Sequence, residues 1–179
     1  KQRREASGTR KRNQRKTARL QKIQALFREE KILTSLEIEN LLNAHSEKSP
    51  YELRTDALSR ELSAPEWFRA LYHIAKHRGF QSNKKIKAGS KEKEKEEGAL
   101  LEGVKTNALL MAEKGYRTVG EMFFLDPKFT DHKRNKGGDY AHTVSQELLR
   151  EEVELLFAEQ KRLGNPHTSE IFRKSFIEA

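Results

Sequence analysis

Apolar residues recur at steps of three and four along most of this chain, the spacing of one face of a helix. In the first 31 residues the apolar stripe begins only at Leu20 and runs through Ile23, Leu26 and Phe27. The Arg, Lys, Gln and Ala residues ahead of it are good helix formers. One long helix is therefore predicted over residues 1–31, with Gly8 as its weak point, a kink or a late start. Its rear half is expected to pack on a body and its front half to project from it.

Residues 35–45 predict a short amphipathic helix, and Pro50 opens a further one over residues 51–62. Ser63 is placed to cap the next helix, with Glu66 three residues on and Pro65 in the first turn. Trp67, Leu71 and Ile74 share its apolar stripe beside Phe68 and Ala75, and Gly79 ends it after Lys76, His77 and Arg78. Residues 84–97 carry mixed charge and no apolar face, which predicts a mobile linker or a solvated helix start. Helices are predicted over 98–114, ending at Gly115, and over 118–125, capped by Thr118 and stopped by Asp126-Pro127. Residues 126–142 read as a polar loop long enough to carry function. A strong helix over 145–163 points Leu149, Val153, Leu156 and Leu163 inward. Gly164 and Pro166 end it, and a last helix starts near Thr168. No useful strand alternation appears, so the expected class is all-α.

Charge changes this picture in one place. The chain has 179 residues and a net charge of +9. Residues 1–22 hold ten cations (Lys1, Arg3, Arg4, Arg10, Lys11, Arg12, Arg15, Lys16, Arg19 and Lys22) against the single anion Glu5. All of the excess charge lies there, and the remainder is balanced. A polyanion-binding element joined to a neutral body is the simplest reading. Arg4 to Lys22 would span roughly 27 Å of helix, enough for several phosphates. Eight of the ten fall in an arc of roughly 140°; Arg3 and Arg10 point to the other side. Arginine holds a phosphate with two donors where lysine acts as a point charge. Phosphate contacts set position without identifying bases. The plain alternative is a solvated basic helix or a localisation-like tail.

Other chemistry is sparse. There are no cysteines, which excludes disulfides and thiolate zinc sites and suits a reducing compartment. No apolar run approaches the ~18 residues of a membrane span, and no secretion signal is visible. His73 and His77 lie one turn apart, a possible metal spacing, but without the glutamate of a zinc-protease helix or an evident third ligand. Gly137-Gly138 is a turn rather than a phosphate loop. Glu151-Glu152 reads as solvated surface. The chain starts at Lys1 without methionine and ends at Ala179 within an apolar pattern, so a piece of a longer protein is expected.

Three stretches carry a more specific signal: RKRNQRKTARLQKIQALF, YELRTDALSRELSAPEWFRALYHIAKHRGFQSN and HKRNKGGDYAHTVSQELL. In this order they resemble the type II CRISPR RNA-guided DNA endonucleases (the Cas-nine family), and are most similar to its compact II-C branch. The resemblance implies that residues 1–33 are the arginine-rich bridge helix, which holds the guide RNA backbone near the seed. It implies that residues 34–179 are the first recognition-lobe domain, which contacts the repeat–anti-repeat duplex and the guide–target heteroduplex. In that family pairing reads sequence and protein reads backbone shape. Arg10, Lys11, Arg12, Arg15, Lys16 and Arg19 match the bridge-helix cations. Ser7, Gln14 and Thr17 stand where relatives carry basic residues, which implies a sparser grip. Lys76, His77, Arg78, Gly79, Ser82, Asn83 and Lys84 match an RNA-facing motif. There Gly79 would let backbone approach a phosphate, or would serve as an ordinary helix cap. His132, Lys133, Arg134, Asn135 and Lys136 resemble a further family segment, RNA-contacting or a solvated loop. With the basic helix, the candidate RNA-binding set is completed by Arg3, Arg4 and Lys22.

The implied partners are a guide RNA (crRNA and tracrRNA) and target DNA in a heteroduplex, with no membrane. The implied setting is bacterial, cytoplasmic antiviral defence. The parent family cleaves DNA with magnesium-dependent RuvC-like and HNH domains, and neither is in this chain, so no catalytic residue, metal site or cofactor is expected within it. A second expectation is a protein-interaction module, in which the basic helix docks on an acidic partner such as an anti-CRISPR inhibitor.

Overall fold

The structure is a computed structural model that describes residues 2–79, 91–130 and 143–179, together with the side chains of most of them. Among the described residues there are nine helices and no strand, in the order α1 (Gln2–Glu29), α2 (Ser35–Asn43), α3 (Pro50–Asp56), α4 (Ala64–Lys76), α5 (Lys91–Lys114), α6 (Val119–Leu125), α7 (Pro127–Thr130), α8 (Gln146–Arg162) and α9 (Glu170–Glu178). The all-α expectation holds. Gly8 does not interrupt α1, which is helical throughout. A Cβ at Gly8 would meet nothing within 4 Å, so this glycine serves no close approach.

The helix starts follow from capping chemistry. Ser63 Oγ accepts from the Glu66 amide, and the Glu66 carboxylate accepts from the Ser63 amide, which closes the box foreseen in the sequence. Thr34 and Glu37 make a second box at α2. Ser49, Thr118, Ser145 and Ser169 cap α3, α6, α8 and α9 through their side chains. Each satisfies amides that a helix start otherwise leaves without partners.

Arg60 clasps the α4 box from outside, donating to both Glu66 oxygens and to Asp56. This hydrogen bonding outweighs burial and lowers the Glu66 carboxyl to about 2 from 4.5. A carboxyl with a depressed native pKa stabilises the fold above its unfolded value, and that stability is lost as pH falls through the native value. Denaturant titrations should therefore show stability declining between pH about 4.5 and about 2. Glu66→Gln should flatten this decline, and an unchanged pH slope in that variant would remove Glu66 from the account.

Two apolar clusters make the core. The larger joins the rear of α1 (Ile23, Leu26, Phe27) to α4 (Trp67, Phe68, Leu71), α8 (Val153, Leu156, Phe157) and α9 (Phe172, Phe176). Phe27 meets Phe68 and Phe172 edge-on, at ring-centroid distances of 5.0 and 5.2 Å. The smaller gathers Val119, Met122, Phe123, Phe129, Val144 and Leu149. Between them lies a buried ion pair that the sequence reading missed. Glu152, expected on the surface with Glu151, is 1% exposed. Its carboxylate accepts from both arms of the Arg54 guanidinium and, at 2.7 Å, from the Gly120 amide. Arg54 also lies 3.2 Å from His73 Nδ1 and over the Tyr51 ring. A burial-blind reading of charge on a mixed-charge helix puts Glu152 outside. Three hydrogen bonds make burial tolerable. A Cβ at Gly120 would lie 2.7 Å from Glu152 Oε1 and 2.8 Å from Arg54 Cβ, so α6 can approach the pair only through a glycine.

Other boundaries also differ from expectation. The helix from Pro50 stops at Asp56 and does not reach Leu62. Residues 57–62 turn instead around buried Gln160, which donates to the Ala57 and Arg60 carbonyls at 2.7 Å and accepts from the Leu62 amide at 2.9 Å. A side chain from α8 thus replaces the helical hydrogen bonds. Within the expected polar loop 126–142, residues 127–130 form α7, because Phe129 is buried and the Lys128 amide donates to Asp126 Oδ1. Residues 131–142 lie outside the described residues. Of the stretch 84–97, expected as a mobile linker or a solvated helix start, residues 91–97 begin α5, and residues 84–90 lie outside the described residues. Leu163 is half-buried at the α8 cap rather than in the core.

Candidate nucleic-acid interface

α1 places its cations by simple periodicity. From Arg12, the helical row proceeds through Lys16 and Arg19 to Ile23 and Phe27, in steps of three and four. Ile23 and Phe27 are 1% and 0% exposed against the body. The row that is apolar from Ile23 onward is cationic from Arg12 to Arg19. Those cations lie on the side of the helix that turns toward the body. Arg10, Lys11, Arg12, Arg15 and Lys22 are exposed. None of these five pairs with a carboxylate among the described residues. Arg12 donates to Thr9 Oγ1 at 3.3 Å. Arg10 stands on the opposite side of the wheel, as does the backbone position of Arg3. The side chains of Arg3 and Arg4 lie outside the described residues.

Arg19 is where the basic helix joins the second candidate cluster. Its Nε donates to the Ala75 carbonyl at 2.9 Å. That carbonyl belongs to the last turn of α4, where helix acceptors lack intrahelical partners and the helix dipole favours positive charge. Burial lowers the Arg19 pKa, and the neighbouring Arg78 cation adds to the effect. Lys76 and Arg78 are exposed, and His77, half-buried, is the C-cap of α4. The two basic clusters, far apart in sequence, thus meet at one junction.

Gly79 has a positive φ of 85°. A Cβ there would sit 2.9 Å from Leu149 Cδ1 and from the Val144 carbonyl. Its missing side chain admits the start of α8, an intramolecular close approach that accounts for the glycine by itself. α8 brings in Arg150, exposed and absent from the sequence-derived set, which borders the same junction as Arg19 and Arg78. Nothing in the linear pattern marks it, since it stands among acidic neighbours. Ser82, Asn83, Lys84, His132, Lys133, Arg134, Asn135 and Lys136 lie outside the described residues.

The structure brings the His73 and His77 rings to 4.8 Å. The Arg54 guanidinium already lies against His73 Nδ1, a poor setting for another cation. Among the described residues no three His, Asp or Glu side chains converge as a metal ligand set. No described helix is long and apolar enough to cross a membrane.

No family model matches the chain. It is 34% identical over 176 residues to the CRISPR-associated endonuclease Cas9 of Campylobacter jejuni, a match covering 90% of this chain and 17% of that protein. The crystal structure of C. jejuni Cas9 in complex with sgRNA and target DNA (AGAAACA PAM) matches with a TM-score of 0.77 and 29% identity, covering 98% of this chain and 24% of that one. A cryo-EM structure of an St1Cas9–sgRNA–tDNA20–AcrIIA6 dimeric assembly shares the fold, with a TM-score of 0.70 and 23% identity over 98% of this chain and 20% of that one. The chain spans 17% of the length of the curated relative it matches. With its basic helix and helical body both aligned in order, the chain is homologous to a segment of Cas9 and belongs to that family.

Proposed function

We propose that this chain is the guide-RNA- and heteroduplex-binding portion of an RNA-guided DNA endonuclease of antiviral defence. Residues 1–33 act as the bridge helix and residues 34–179 as the first recognition domain. The observation that carries the reading is the helical row on α1, cationic from Arg12 to Arg19 and buried at Ile23 and Phe27. It supports a backbone held along the angle between the front of α1 and the body. Arg12, Arg15, Lys16 and Arg19 neutralise successive phosphates, and Lys76 and Arg78 extend the track across the end of α4. The match to a relative solved with sgRNA and target DNA supports the same reading. Such contacts fix the register of the guide and leave base identity to pairing. Magnesium chemistry and DNA cleavage belong to the longer enzyme. An acidic protein docking on the basic helix would have to occupy the same cations, and the relatives solved with sgRNA favour RNA there.

Arg12→Ala and Arg15→Ala test the assignment. Each should weaken guide-RNA binding roughly tenfold, the scale of one hydrogen bond to a charged group. Both side chains are exposed, and exposed substitutions generally shift stability by less than about 0.5 kcal/mol. Binding curves and thermal melts on the same variants separate the two effects. Unchanged affinity, or a large fall in melting temperature, would contradict the assignment.

A further inference from the structure

His73 lies in the last turn of α4, between the buried ion pair and the basic cluster that ends the helix. Its Nδ1 is 3.2 Å from Arg54 Nη1. A guanidinium donates and cannot accept. Nδ1 is therefore the acceptor, and the neutral ring carries its proton on Nε2. Arg54 is a fixed donor. Its Nε and Nη2 are committed to Glu152, the residue is 2% exposed, and the Gly120 amide holds the same carboxylate. The Tyr51 ring packs edge-on against the imidazole at 4.7 Å. Beyond His73 the helix closes on itself. The His77 amide donates to the His73 and Ile74 carbonyls at 3.2 Å, and the two imidazoles lie 4.8 Å apart. Lys76 and Arg78, both exposed, flank this cap.

A second proton on the ring has Nδ1 as its place. There it would turn an acceptor into a donor aimed at a guanidinium and set two cations 3.2 Å apart. The surroundings do not offset this. Arg54 and Tyr51 face the ring from α3 and His77 from its own helix, while Arg69 and Lys76 stand one turn away on that helix. The Glu152 carboxylate of α8 lies behind the guanidinium, which already engages it. We propose that His73 is a positioning residue for guide-RNA binding: its neutral ring, accepting from Arg54, holds the last turn of α4 so that Lys76 and Arg78 meet the RNA backbone, and protonation releases that turn. The inference rests on the RNA-binding function proposed above. Protons then bind the released ring in preference to the held one. The anchor is therefore fully present above the ordinary histidine value of about 6.5 and is lost as pH falls below it. Acid in general adds positive charge and favours RNA, so this linkage runs against the background.

The test is guide-RNA affinity from pH 8 to pH 5.5 for the parent chain, His73→Asn and His73→Leu. An asparagine oxygen can stand where Nδ1 stands, and it does not titrate. His73→Asn should match the parent within about twofold at pH 8. At pH 5.5 it should bind at least about fivefold tighter than the parent, since full linkage one unit below the ordinary value reaches about tenfold. His73→Leu, without an acceptor, should bind more weakly than His73→Asn at both ends of the range. Nitrogen NMR of the free chain at pH 8 should report His73 as the Nε2–H tautomer. An Nδ1–H tautomer would overturn the inference, as would parent and His73→Asn affinities that run parallel across the range, or a His73→Leu chain that binds as well as His73→Asn. Arg12→Ala, measured alongside at pH 8, separates the two readings. An affinity unchanged by Arg12→Ala would overturn the proposed function, whereas parallel pH profiles with Arg12-dependent binding intact would overturn this inference alone.

Discussion

Glu152→Ala should destabilise the chain by about 3–5 kcal/mol, the cost of leaving one charge of a buried ion pair without its partner. The Arg54 guanidinium would remain 2% exposed between two apolar clusters, with only His73 Nδ1 and the Tyr51 ring near its charge. The Gly120 amide would lose its acceptor as well. The pair ties α3, α6 and α8 together, so the loss should appear as a lower global unfolding free energy. Arg54→Met combined with Glu152→Leu should cost less than either single change, because apolar replacements of similar size often substitute for a buried pair at little cost. The residual cost of the double variant is the unpaired Gly120 amide, about 1–3 kcal/mol. Chemical denaturation of Glu152→Ala, Arg54→Met, Glu152→Leu and the double variant checks this. A single variant as stable as the parent chain would show that the pair does not organise the core.

Trp67→Ala should cost about 3–5 kcal/mol, the range for deleting a large buried aromatic. The ring is 0% exposed, packs edge-on against Phe157 at 5.0 Å and donates from Nε1 to the His167 carbonyl at 3.0 Å. The substitution opens a cavity where α4 meets α8 and orphans that carbonyl. Trp67 stands eight residues before Ala75 on α4, about 12 Å along its axis from the junction with Arg19. Guide-RNA affinity measured well below the melting temperature should therefore be preserved. Stability and binding then separate cleanly, the reverse of the Arg12 and Arg15 variants. A Trp67→Ala chain melting within a few degrees of the parent would contradict the packing described for α4.

Much of the fold is legible in the sequence because it is local. Ser63 and Glu66 announce a helix start through groups three residues apart, and the Leu20–Phe27 stripe announces a buried face at period 3.6. What sequence reading missed is non-local. Glu152 looks like surface because its partner Arg54 lies 98 residues away and only tertiary packing joins them. Gln160 is an unremarkable polar residue until it replaces the backbone bonds that would have extended α3. The site divides the same way. The α1 cations stand out as a run, and the Lys76–Arg78 cluster stands out by its position at a helix end. Arg150 is invisible among acidic neighbours until α8 folds beside Gly79. Gly79 itself shows how a motif glycine can have an internal duty, since Val144 and Leu149 take the space a Cβ would need.

If the α1 cations hold a nucleic-acid backbone, guide-RNA affinity must fall steeply with salt. Each neutralised phosphate contributes a slope of roughly −0.7 to −0.9 to log affinity against log salt. Six cations of the α1 arc (Lys11, Arg12, Arg15, Lys16, Arg19 and Lys22) predict a slope of about −4 or steeper. Arg12→Ala and Arg15→Ala should each make it shallower by about one contact. A slope near zero for the parent chain, or one unmoved by these substitutions, would mean that α1 does not hold the RNA backbone.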